Sequence, residues 1–137
     1  MVTKLKAKEV PEYKKMLMQL QGNKCPLCGG SLLAVTAVNR VLDHDHETGF
    51  CRAVVCRGCN GAEGKILGVI SGYGKAGNNR YFQIQWLKNL LAYWTLHQVP
   101  QTDKLYHLHR SAAELREAKN RKARLAYARN KTGGTSG

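Results

Sequence analysis

Apolar residues first recur at helical spacing in residues 7 to 21. There Tyr13, Met16, Leu17 and Leu20 fall at i, i+3, i+4 and i+7, while Lys8, Glu12, Lys15 and Gln19 lie largely elsewhere. The pattern predicts an amphipathic helix, with Pro11 early, where a helix tolerates it, and Gly22-Asn23 as its stop. From Ser31 to Leu42 the chain is rich in β-branched and aliphatic residues. Val35, Val38 and Val41 predict a strand or hairpin leading into Asp43-His44. Glu47-Thr48-Gly49 reads as a turn, Phe50 to Val55 as a return strand, and a helix is expected from Asn60 to about Ile70. The order strand, acid–His segment, turn, strand, helix is a ββα unit.

Gly72, Gly74 and Gly77, with two asparagines, mark residues 71 to 79 as a loop or hinge. Residues 80 to 97 make the most apolar helix, ended by Pro100. Phe82, Trp86, Leu87, Leu90, Leu91, Tyr93, Trp94 and Leu96 cover more than one of its faces. A single apolar stripe packs on one core; a helix apolar almost all round needs a second partner, most simply another copy of the chain. Residues 111 to 130 predict a basic helix. The expected organisation is therefore an N-terminal helix with the ββα unit (residues 1–70), a Gly-rich hinge (71–79), an apolar dimerisation helix (80–100), a basic C-terminal helix (101–131) and a small-residue, disordered tail (132–137). The fold class is α+β, mostly helical.

Charge changes the picture. The chain has 137 residues and 22 Lys and Arg against 9 Asp and Glu, a net charge of +13. That surplus favours a polyanionic partner, most simply nucleic acid, with an anionic membrane surface as the rival. No 18-residue apolar run is present to span a bilayer, and the start Val2-Thr3-Lys4-Leu5 opens no secretory signal, so the expectation is a soluble, cytoplasmic protein. Nine Lys and Arg against two Glu over residues 104 to 131 assign that stretch to DNA phosphates through Arg116, Lys119, Arg121, Lys122 and Arg124; the bland alternative is a solvated, charge-rich face. Without interleaved aromatics, backbone contact is expected there and not base stacking. Tyr81, Phe82, Trp86 and Trp94 are assigned to core or interface.

Five cysteines bring in the chemistry. Cys25-x-x-Cys28 and Cys56-x-x-Cys59, separated by 27 residues, have the paired spacing of one tetrahedral zinc site. Four thiolates fill the shell of Zn2+, so this ion would organise structure and not catalyse. Unligated buried cysteines are the alternative. Cys51 is left over and is expected to pack as a small hydrophobe. Between the pairs lies Asp43-His44-Asp45-His46, and Asn60 follows Cys59 at once. Imidazole suits a general base near neutral pH, and carboxylate and amide oxygens suit Mg2+. Strand alternation would send Asp43 and Asp45 one way and His44 and His46 the other, unless a tight turn breaks it. Alternatively, the histidines complete a zinc site with the cysteines of one knuckle only.

The segment Leu42-Asp43-His44-Asp45-His46-Glu47-Thr48-Gly49, then Arg52, then Cys56-x-x-Cys59-Asn60-x-Ala62-Glu63-Gly64, resembles the phage recombination endonuclease VII family of His-Me finger (ββα-metal, HNH-like) nucleases. The match runs over roughly residues 23 to 66. The resemblance implies that Asp43 and Asn60 hold a catalytic Mg2+, that His44 is the general base, that His46 contacts the scissile phosphate or assists the leaving group, and that Glu63 supports the metal site. It places Arg52 among the DNA contacts and the four paired cysteines on structural Zn2+. It implies hydrolysis of four-way (Holliday) junctions and other branched DNA in recombination by an intertwined homodimer. A generic HNH nicking or homing endonuclease, and a non-catalytic zinc-knuckle DNA-binding protein, are the alternatives.

Overall fold

The computed structural model describes residues 1–134. Its elements are helix α1 (Val10–Leu20), strands β1 (Arg40–His44) and β2 (Cys51–Cys56), and helices α2 (Arg57–Gly72), α3 (Arg80–Leu96) and α4 (Ala112–Gly133), with single 3-10 turns at Ala7–Glu9, Leu32–Ala34 and Ala37–Asn39. The class is α+β, dominated by helix. Two compact units divide at Tyr93/Trp94, inside α3.

The first unit is built around a small core in which Met18, Cys25, Leu32, Val54 and Val55 are buried, with Leu17, Val35, Leu42, Ala53, Cys56 and Cys59 packed against them. Helix α1 enters through Leu17 and Met18 and stops where Gly22 and Asn23 take positive φ (63° and 57°), as the sequence predicts. Its phase differs from the predicted stripe: Met16 and Leu20 are exposed (46% and 76%) and Met18 is buried. The reason lies 33 residues away. The Gln21 amide donates to the Val54 carbonyl and accepts from the Val54 N–H, both at 2.8 Å, which turns the Met18–Gln21 side of α1 toward β2.

The strand expected from Ser31 is absent over most of its length. Arg40 Nε donates to the carbonyls of Leu32 (2.8 Å) and Val35 (3.2 Å), which holds this stretch in tight turns, and regular pairing starts only at Arg40. Strands β1 and β2 run antiparallel with Arg40 opposite Cys56, Leu42 opposite Val54 and His44 opposite Cys51. Between Leu42 and His44 the register shifts, so Asp43 sits at an irregularity that breaks the simple alternation.

Helix α2 starts three residues before the expected Asn60 and continues through Ser71 and Gly72, which the hinge was expected to contain. It carries Gly58, Gly61, Gly64, Gly68 and Gly72, and a Cβ at any of them would meet nothing within 4 Å. Glycine inside a helix costs about 1 kcal/mol relative to alanine. Gly68→Ala is therefore expected to stabilise the protein by about 0.5–1 kcal/mol, read as a higher denaturant midpoint. Gly74, by contrast, packs where a Cβ would lie 2.8 Å from the Ile70 carbonyl oxygen. The loop from α2 to α3 is pinned by Gln83, the one buried polar side chain among the described residues, which donates to Ser71 Oγ (3.1 Å) and the Gly77 carbonyl (2.7 Å).

Along α3, Trp86, Leu87 and Leu90 are half-buried. Tyr81, Phe82, Ile84, Leu91, Tyr93, Trp94 and Leu96 are exposed. Helix α4 opens on a reciprocal cap between Ser111 and Glu114 and buries none of its residues. It runs to Gly133, past the Thr132 at which a disordered tail was expected; residues 135–137 of that tail lie outside the described residues. No helix among the described residues is long and apolar enough to cross a membrane.

Candidate functional site

The four paired cysteines come together, with one Sγ from each lying within 4.8 Å of all the others. Local geometry explains the first knuckle. Cys25 N–H donates to the Gly30 carbonyl, Gly29 N–H donates to the Cys25 carbonyl, and Gly29 takes a positive φ of 74°, so the chain reverses within six residues. The second knuckle is supplied by the junction of β2 and α2, with Cys56 ending the strand and Cys59 on the first turn of the helix. A tetrahedron with 2.3 Å arms has edges of about 3.8 Å. The Cys28–Cys56 sulfur separation is 3.9 Å. The donor set fits a four-thiolate ion such as zinc.

The electrostatics of the thiols suit a bound cation. Burial pushes Cys25 up, but the backbone N–H groups of Cys28, Cys56 and Leu27 more than offset it and bring the thiol down to about 6. The hydrogen bond with Cys28, followed by burial, pushes Cys59 up to about 12, and burial followed by Cys28 raises Cys56. One thiolate forms easily, and each further negative charge is opposed by those already present; a dication removes that opposition. Cys51 stands apart, half-buried on β2 opposite His44.

Beside this cluster lies the acid–His segment. Arg52, on β2, gathers two acids: its Nε donates to Asp43 Oδ2 at 2.6 Å and its Nη2 meets Glu63 Oε1 at 3.3 Å. The Asp43 hydrogen bond is the main reason the guanidinium is held above its ordinary range. Glu63 and Asn60 stand three residues apart on α2, on neighbouring positions of one helix face. Arg52, Asn60, Glu63 and His46 line a single cleft of about 480 Å³, which Arg80 and Gln83 also line. His44 is exposed and its ring stacks on His46 with centroids 4.7 Å apart. The bulge and the turn thus bring both imidazoles together, where strict alternation with an intact ladder set only their common side.

Asp45 has a different job. Its Oδ1 accepts the N–H groups of Glu47 and Thr48 (2.9 Å each), and Arg80 Nη2 reaches its Oδ2 at 3.6 Å. The Thr48 and then the Glu47 N–H hold this carboxyl below its usual range, with Arg80 adding less. Asp45 shapes the turn that carries His46. Arg80 and Gln83 were not legible as site residues, since nothing in their local sequence signals Asp45 or the loop they hold. For Arg52 the signal was misleading by one residue: a hairpin with a three-residue turn places it opposite His44, whereas the observed pairing of His44 with Cys51 brings it beside Asp43.

Among the described residues, the cysteines are the one set of three or more His, Cys, Asp or Glu donors close enough to share an ion. Asn60 lines the cleft, and Asp43, held by the cleft-lining Arg52, is a second hard oxygen donor. That suits Mg2+, which keeps several waters and takes one or two protein ligands plus substrate phosphate.

Arg116, Lys119, Arg121, Lys122 and Arg124 all lie exposed on α4, where Arg124 pairs with Glu117 at 2.7 Å. The structure therefore keeps these five together on one element.

The family model of recombination endonuclease VII matches residues 2–117, most of the chain. The protein belongs to the recombination endonuclease VII family.

Proposed function

We propose that this member of the recombination endonuclease VII family is a Mg2+-dependent, structure-selective DNA endonuclease that hydrolyses four-way junctions and other branched DNA as a homodimer in the cytoplasm. The observation that carries the reading is the ion-paired set Asp43–Arg52–Glu63, of which Arg52 and Glu63 line a cleft together with Asn60 and His46. The strand–strand–helix order around it supports the His-Me finger assignment.

In this reading Asp43 and Asn60 hold the cation and Glu63 steadies the site from the next turn of α2. Bound Mg2+ supplies charge neutralisation at the scissile phosphate. His44 takes the proton from the attacking water as its oxygen bonds to phosphorus. The P–O ester bond breaks, and the leaving oxygen acquires a proton with His46 nearby to assist. Zinc on the four cysteines fixes the start of α2 and so places Asn60, the residue after Cys59. The exposed apolar surface of α3, which in a lone chain leaves Phe82, Leu91, Tyr93 and Trp94 in water, supports pairing of two chains through this helix. Two subunits present two active sites, as symmetric nicking of a four-way junction requires. The five basic residues of α4 would follow the phosphates and give steep salt dependence.

The test is cleavage of matched linear, mismatched, Y-shaped and four-way DNA with strands mapped, together with mass in solution. Paired nicks in the four-way junction that require Mg2+, from a particle of twice the 15.2 kDa chain mass, are expected. A monomer that binds branched DNA but cuts none of these substrates makes it a zinc-knuckle binding protein instead.

A further inference from the structure

Arg52 is the residue whose surroundings depart furthest from its sequence-based assignment. A phosphate-contacting arginine presents its fork to solvent. Here the fork is turned inward, with Nε on Asp43 and Nη2 on Glu63, and the side chain is two-thirds covered. The two acids arrive from different elements, Asp43 from the bulge of β1 and Glu63 from the second turn of α2, and Arg52 joins both from β2. Without a cation between them these carboxylates repel. A guanidinium is always charged, planar and able to donate to two acceptors at once, a combination that lysine lacks. Because Arg52 engages Asp43 through Oδ2, Oδ1 has no other hydrogen-bond partner among the described residues and stays available to a metal ion.

Resting on the nuclease reading above, we propose that Arg52 is a positioning residue of the metal site: by bridging Asp43 and Glu63 it orients the Asp43 carboxylate so that its second oxygen faces the divalent cation. It acts through Asp43 and not on the DNA. Groups that hydrogen-bond a metal-ligating carboxylate set its orientation, and their loss costs about 10–100-fold in metal affinity.

The experiment compares wild type, Arg52→Gln, Arg52→Lys and Asp43→Asn by two readouts that need no turnover: Mn2+ affinity without DNA, by electron paramagnetic resonance, and four-way-junction affinity without added divalent cation over a salt series. Circular dichroism and unfolding midpoints confirm that each variant folds. Arg52→Gln is expected to weaken Mn2+ binding by about 10–100-fold, Arg52→Lys to recover part of that loss, and junction affinity and its salt slope without divalent cation to stay as in wild type. If Arg52→Gln instead weakens junction binding without divalent cation and leaves Mn2+ affinity unchanged, Arg52 is a phosphate contact and the proposal is wrong. Tighter Mn2+ binding would make Arg52 a competitor of the cation and also overturn it. Wild-type Mn2+ affinity indifferent to Asp43→Asn would remove the metal site itself, a separate failure that takes the nuclease reading and this inference together.

Discussion

His44→Ala is expected to slow junction cleavage by about 10²–10⁴-fold, the usual contribution of a positioned general base. The expectation rests on placement. His44 is the last residue of β1, immediately after the bulge that carries Asp43, and its ring is braced against His46 at 4.7 Å. Imidazole is the side chain best suited to take a proton from water in a hydrolytic step. The same placement keeps the substitution clean. His44 is exposed and takes no part in the core, and surface replacements of this kind usually alter stability by less than about 0.5 kcal/mol. Junction affinity measured in Ca2+ should therefore stay within a few-fold of wild type while the single-turnover rate falls. Rescue of the rate by added imidazole would identify the missing function as proton transfer. A variant that cuts at the wild-type rate excludes His44 as the base. A larger loss in His46→Ala would move the role to its stacked neighbour.

Removing zinc is expected to unfold the first unit. Structural zinc in small cysteine sites contributes on the order of 10–16 kcal/mol at neutral pH, against a total stability of about 5–15 kcal/mol for ordinary domains. The core offers little to take its place. Leu32, Ile70, Val54 and Cys25 are the largest fully buried side chains, and Cys25 is itself a ligand in this reading. Held by the four cysteines, zinc would tie the loop after α1 to the start of α2, so its loss would free both knuckles and the hairpin between them. The expected result is one zinc released per chain on treatment with a strong chelator, together with loss of the cooperative melting transition. Cys25→Ser should mimic it, because a hydroxyl does not supply the thiolate and Cys25 is wholly buried. A chelated protein that keeps its melting temperature would show that the cysteines do not hold a structural ion.

What the sequence disclosed was local. The cysteine pairs, the Gly22-Asn23 stop and the turn at Glu47-Thr48-Gly49 depend on residues a few positions apart, and each appears in the structure where its spacing placed it. What it concealed was set by distant partners. Periodicity put Leu20 in the core, but the Gln21–Val54 hydrogen bonds rotate α1 to bury Met18. Valine content favoured a strand after Ser31, and the Arg40 guanidinium captured its carbonyls instead. The site follows the same division. The residue types Asp43, His44, His46, Asn60 and Glu63 were visible as a motif, whereas the ion pairs of Arg52 with Asp43 and Glu63, and of Arg80 with Asp45, join residues that are brought together only when separate elements assemble.

The glutamine that rotates α1 has a second consequence. A two-stranded sheet has two open edges, and an open edge is a template on which another polypeptide can add a strand and begin to aggregate. On the side of β2 away from β1, the N–H and carbonyl of Val54 are both taken by the Gln21 amide, which imitates one rung of a third strand. Two residues on, the Cys56 N–H is directed to the Cys25 sulfur. The edge nearest the cysteines is thereby closed to strand addition without the chain spending residues on another strand. In the proposed homodimer, pairing then falls to the side chains of α3, which would choose a partner by shape, where a bare backbone edge would accept almost any extended segment.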